Sequence, residues 1–124
     1  MQIDKLKKQK EFKSRLYKFV LRLIRFIGSL NTRDVVCRVV SDQLTRSGCS
    51  ILANYIEGLA SSSKRELTVY FERSLKSSNE SKVWLAILRD SGKCRKSEPN
   101  MLLKELEEIS KIFASSILTL KGKR

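Results

Sequence analysis

Apolar residues recur at intervals of three and four along nearly the whole chain, and only one proline stands in it. From Phe12 to Leu30 the set Phe12, Leu16, Phe19, Val20, Leu23, Ile27 and Leu30 marks one face of a helix, and the period of two that a half-buried strand needs is missing. Three further blocks repeat the pattern, which makes the chain all-α. Val35-Val36 and Val39-Val40 are β-branched pairs, yet their spacing of three to four again favours helix.

Punctuation divides the pattern into four segments. Asn31 or Thr32 can cap a second helix that Asp34 favours at its positive end. Gly58 and the following Ala60-Ser61-Ser62 are expected to end it. Ser63-Lys64-Arg65-Glu66 has the spacing of a capping box, and Ser91-Gly92 offers a left-handed stop. Pro99 suits the first turn of the last helix. That helix is expected to fray at Lys121-Gly122-Lys123-Arg124. The expected helices are about 10–30, 33–59, 63–91 and 98–120, in a single domain over 1–124. Connections this short make neighbours antiparallel, so the expected architecture is an up-and-down four-helix bundle.

Chemistry is narrowed by what the chain lacks. There is no His, which removes the commonest general base, proton shuttle and zinc ligand at once. Cys37, Cys49 and Cys94 form no C-x-x-C pair, so no metal site and no disulfide framework is expected. Cys94 lies between Lys93 and Arg95, and such cations can activate a thiol, but a bystander thiol in a loop is the preferred reading. Ser47 and Ser50 have no base to activate them and no nucleophile elbow. A non-enzymatic protein without cofactors is expected. No apolar run approaches the roughly 20 residues of a bilayer span, and residues 1–10 carry no apolar signal region, so a cytoplasmic protein is expected.

The net charge is +13, and it is uneven: +8 over residues 1–33, −1 over 34–62, +5 over 63–97 and +1 over 98–124. On a helical wheel Arg15, Lys18, Arg22 and Arg25 share a sector of about 80°, opposite Leu16, Val20, Leu23 and Ile27. Lys7 and Lys8 extend this row. Like charges at such spacing repel, and a row of cations matches a row of phosphates. Nucleic acid is therefore the expected partner, with Lys93, Arg95 and Lys96 as a second basic cluster. A charge row reads no bases, so sequence specificity is not implied. A membrane surface ranks lower, because the apolar face of this helix is needed to close the bundle. A different class of function is a protein-interaction scaffold whose basic face docks an acidic or RNA-bearing partner. In a third reading the charge serves only solubility.

The second segment is too apolar for a surface helix. No charge occurs between Ser47 and Ile56, and the side away from its core stripe carries Cys49, Leu52, Ala53 and Ile56. Copies of the chain are expected to cover that side, giving a homo-oligomer. Gln43, Ser47, Ser50, Asn54 and Glu57 form a narrow polar stripe on the same segment, and Ser74, Ser78 and Ser81 offer a matching seam.

The stretch from Gln43 to Gly58, with Gln43-Leu44, Arg46-Ser47, Ser50-Ile51, Ala53-Asn54 and Glu57-Gly58, resembles the signature of the four-helix-bundle proteins encoded in 23S rRNA intervening sequences. Ser63, Glu80, Trp84 and Leu85 continue the likeness, which spans about residues 12–120. The resemblance marks Arg46, Ser47, Ser50, Asn54, Glu57 and Glu80 as motif residues of helix packing and assembly. It implies a ring-shaped homopentamer with a basic surface. The chain is also similar to the accessory subunits of diversity-generating retroelements, which implies a reverse transcriptase and its RNA as partners. Where the family often has Pro and Glu between the first two helices, this chain has Asn31 to Asp34.

Overall fold

In a computed structural model, which describes residues 2–123, the periodic segments form four α-helices: α1 (Gln2–Gly28), α2 (Val35–Ala60), α3 (Lys64–Asp90) and α4 (Ser97–Leu120). Each apolar stripe turns inward. Leu16, Leu23, Leu44, Ile51, Leu85, Leu88, Leu102, Leu106 and Ile109 are fully buried at the centre of the bundle. No described helix is long and apolar enough to cross a membrane.

Several boundaries differ from the sequence expectation, each for a local reason. α1 starts at Gln2 rather than near residue 10, because Lys5, Leu6, Lys7, Lys8 and Gln9 are good helix formers and neither Gly nor Pro interrupts them. Its buried stripe includes Phe26 where Ile27 was expected, and Ile27 is only half-buried. The cap of α2 is Asp34, whose Oδ1 accepts from the Cys37 amide at 3.0 Å. Asn31 instead accepts from the Arg33 amide at 3.0 Å, which turns the chain ahead of the helix.

Gly58 does not end α2, which continues to Ala60. It lies inside the helix, where a Cβ would stand 3.0 Å from Tyr70 Cβ, so its missing side chain lets α3 approach. Ser63 caps α3 as expected, with Oγ accepting from the Glu66 amide at 3.1 Å. Gly92, at φ 71°, closes that helix with the paired bonds Lys93 N–H to Leu88 O and Gly92 N–H to Arg89 O. Gly122 makes the same closure after Leu120, with Lys123 N–H donating to Leu118 O and Gly122 N–H to Thr119 O; Arg124, the last residue expected to fray, lies outside the described residues.

Small residues set the spacing of the bundle. α2 and α3 run closest together, and α1 and α4 are the most widely separated neighbours. Ser47, Ser74, Ser78 and Ser81 are buried, as the expected serine seam requires. Ser47 Oγ and Ser81 Oγ lie 2.7 Å apart, Ser74 Oγ donates to Ile51 O at 2.9 Å, and Ser78 Oγ and Ser110 Oγ are 2.7 Å apart. Every buried side-chain polar atom among the described residues has a partner, so this seam carries no desolvation penalty from orphaned hydroxyls. Gly48 plays the equivalent part toward α1, since a Cβ there would overlap Leu23 Cδ2.

The rest of the polar stripe on α2 is not buried in the chain. Ser50 and Asn54 are half-buried and bond back to their own helix, Ser50 Oγ to Arg46 O at 2.7 Å and Asn54 Nδ2 to Ser50 O at 2.9 Å. Gln43 is half-buried and Glu57 exposed. Arg46 is exposed and pairs loosely with Asp42 at 3.5 Å. Glu80 accepts from Trp84 Nε1 at 3.1 Å on the outer side of α3.

Candidate nucleic-acid interface

The four cations on one sector of α1 separate into two pairs. Arg15 and Arg22 are half-buried at the margin facing α4, and carboxylates hold both. Arg15 donates through Nε and Nη2 to the two oxygens of Glu105 at 2.8 and 2.7 Å, the planar fork meeting the carboxylate edge to edge. Arg22 Nε lies 2.7 Å from Glu98 Oε1, with Nη2 3.4 Å from the second oxygen. The hydrogen bond each arginine donates to its glutamate raises it above the usual guanidinium value, so both stay charged but engaged. Arg15 and Arg22 are seven residues apart, as are Glu98 and Glu105. In antiparallel helices equal intervals bring such pairs into register.

Lys18 and Arg25 remain exposed and form no ion pair among the described residues. At 1.5 Å per residue they stand about 10 Å apart along the helix, with Lys7 in the same sector toward the N-terminus. Because α1 and α4 are splayed, a groove of about 600 Å³ opens between them, lined by Lys18 and Lys104 together with the paired Arg15 and Arg22. Lys104 is exposed and is an addition from α4 that the charge pattern of α1 did not reveal. The acids Glu105 and Glu108 also line the groove, so its two walls are not uniformly cationic.

The second basic cluster also divides. Lys93 Nζ contacts Asp34 Oδ2 at 2.8 Å, which ties the α3–α4 loop to the cap of α2. That hydrogen bond, and next the one from the Cys37 amide, holds the Asp34 carboxyl below its ordinary range. Lys93 is therefore a structural partner as well as a basic residue. Arg95 and Lys96 are exposed. They immediately precede α4, whose Glu98 reaches Arg22, so they sit at the same end of the bundle as Arg25. The fold thus joins what the sequence separates, since the α3–α4 loop with Arg95 and Lys96 lies at the end of the bundle where Arg25 closes α1. Cys94, between them, is not activated by its neighbours, because partial burial pushes its thiol above the usual value.

A different surface is apolar. Tyr17 and Ile24 on α1 are 57 % and 49 % exposed, and Ile56 on α2 is 39 % exposed. Cys49 and Leu52 are half-buried and Ala53 is exposed. The contacts of Gly48 with Leu23 and of the Tyr55 ring with Phe12 set the register of α1 on α2, and that register puts Tyr17 level with Leu52 and Ala53. Apolar side chains from both helices therefore share one outer face, wider than the α2 segment alone predicts. Toward the start of α2 the charged Arg38, Asp42 and Arg46 interrupt it.

A family model for the 23S rRNA-intervening sequence protein matches residues 8–115. Among solved structures, a protein of unknown function from the S23 ribosomal protein family of Bacteroides thetaiotaomicron is similar with a TM-score of 0.78 and 26 % identity, over 85 % of this chain and 96 % of that one. No curated protein matches the chain.

Proposed function

The chain belongs to the 23S rRNA-intervening sequence protein family, and we propose that it works as a non-enzymatic basic oligomer that binds nucleic acid through the outward cations of α1. The observation that carries this reading is the division of the α1 row. Carboxylates of α4 neutralise Arg15 and Arg22, whereas Lys18 and Arg25 are left exposed and without an ion-pair partner among the described residues. Lys104, Arg95 and Lys96 add to the same field. Phosphates relieve such a row, whose cations in turn release the counterions condensed on the nucleic acid, and no base contact is required. Covering the α1–α2 apolar face with further copies would repeat the cationic surface around the assembly, and weak contacts would then add through effective concentration. A pentamer is the assembly that the family resemblance implies.

The direct test is a fluorescence anisotropy titration of labelled duplex RNA and duplex DNA with the wild-type protein and with the Lys18→Glu/Arg25→Glu variant. Both positions are exposed, so the fold should tolerate the change within about 0.5 kcal/mol. Affinity is expected to fall about a hundredfold or more, since each subunit swaps two attractive contacts for two repulsive ones. Unchanged affinity would refute the α1 site. If the wild-type protein ignored naked nucleic acid but retained one polypeptide partner, such as a reverse transcriptase, the scaffold reading would replace it.

A further inference from the structure

The inward seam of α1 continues past the core in an unexpected way. Lys5, Lys8, Phe12, Leu16, Phe19, Leu23 and Phe26 follow one another at intervals of three and four, so the first two seam positions are cations. Both lysines are exposed, and neither makes an ion pair among the described residues. They stand at the mouth of a cavity of about 650 Å³ at the end of the bundle. That volume lies in the usual range for small-molecule sites.

The cavity floor is aromatic. Phe12, Tyr55, Phe71 and Phe113 pack on one another with ring centroids 5.1 to 5.9 Å apart, and Tyr55 and Phe113 are almost fully buried. Leucines from α2, α3 and α4 form the walls, at Leu59, Leu67 and Leu120. Polar side chains share the lining at Gln9, Ser116 and Thr119 as well as at the charged residues. Tyr55 Oη donates to the Gln9 carbonyl at 3.4 Å, and burial pushes this phenol up to about 12, so it is a neutral hydroxyl rather than an anion. Asp4 is the single acid at the mouth, against two lysines.

We propose that this cavity is a binding site for a small amphipathic anion, with its apolar body against Phe12, Leu59, Leu67 and Leu120 above the buried rings and its charged head between Lys5 and Lys8. Burial of the body supplies the affinity, and the lysines select the head. The site is distinct from the groove between α1 and α4, with which it shares no lining residue.

Two dyes with the same aromatic body test it: anilinonaphthalene sulfonate, which carries an anionic head, and N-phenyl-naphthylamine, which does not. Both are expected to bind the full-length folded protein and to be displaced by dodecanoate. In Lys5→Glu/Lys8→Glu the sulfonate is expected to bind about tenfold more weakly while the neutral dye is unaffected. Ser116→Phe should obstruct the cavity and weaken both signals at unchanged helix content. Thr119→Trp, at the exposed rim, repeats the test should Ser116→Phe lower the melting temperature. Absence of saturable dye binding would overturn the proposal. So would equal affinity of the lysine variant for the sulfonate, or full binding by Thr119→Trp.

Discussion

Ala53→Glu/Ile56→Glu is expected to convert the protein from a multiple of its 14.3 kDa chain mass into a single chain in light scattering. Ala53 is exposed and Ile56 is 39 % exposed, so the isolated fold has little to lose from the change. In an assembly that covers the α1–α2 face, the same two positions would bury an unpaired carboxylate pair in every subunit. Burying such charges costs several kcal/mol each, which amounts to a loss of association of about a thousandfold or more. A wild-type protein that already runs as one chain would contradict the assembly, and so would a variant that remains a multimer. Loss of assembly should also weaken nucleic-acid binding by removing the repeated sites, although Lys18 and Arg25 remain in place.

Gly48→Leu should destabilise the fold more than any other glycine replacement in the helices. Leu23 is fully buried and rests against the α2 backbone, where even a Cβ would overlap it. A larger side chain must displace Leu23 from the centre of the core. Overpacking of this kind costs about 3 kcal/mol, which the better helix propensity of Leu offsets by only about 1 kcal/mol. The melting temperature is expected to drop by roughly 8 °C. Gly28→Ala is the control: nothing lies within 4 Å of a Cβ there, so its stability should stay level or rise. Equal melting of Gly48→Leu and wild type would show that Leu23 does not need that approach.

Signals of short range were legible in the sequence. The Ser63 cap, the Gly92 closure and the buried serine seam follow from the residue types at those positions, because a cap or a hydroxyl is satisfied within a turn or across one helix contact. Signals that depend on which helices meet were harder to see. The row Arg15, Lys18, Arg22 and Arg25 reads as one cationic face until α4 supplies Glu98 and Glu105, although the matching seven-residue intervals were present in the chain. Gly48 and Gly58 look like weak points in a helix when taken alone. Each proves to be a place where a neighbouring helix comes close. Lys8 reads as part of the cationic row in the sequence, and Lys5 lies ahead of the expected start of α1 near residue 10. Once the helix is extended, they fall on its inward seam.

Nucleic-acid binding by this protein rests on the outward cations of α1 meeting phosphates. The most direct measurement is the affinity for a fixed duplex RNA between roughly 50 and 200 mM salt, plotted as log Kd against log salt. The expected result is a steep straight line, with a loss of about a thousandfold over that range for an assembly engaging six or more phosphates, and a shallower line for Lys18→Glu/Arg25→Glu. A flat line for the wild-type protein would contradict phosphate recognition by α1.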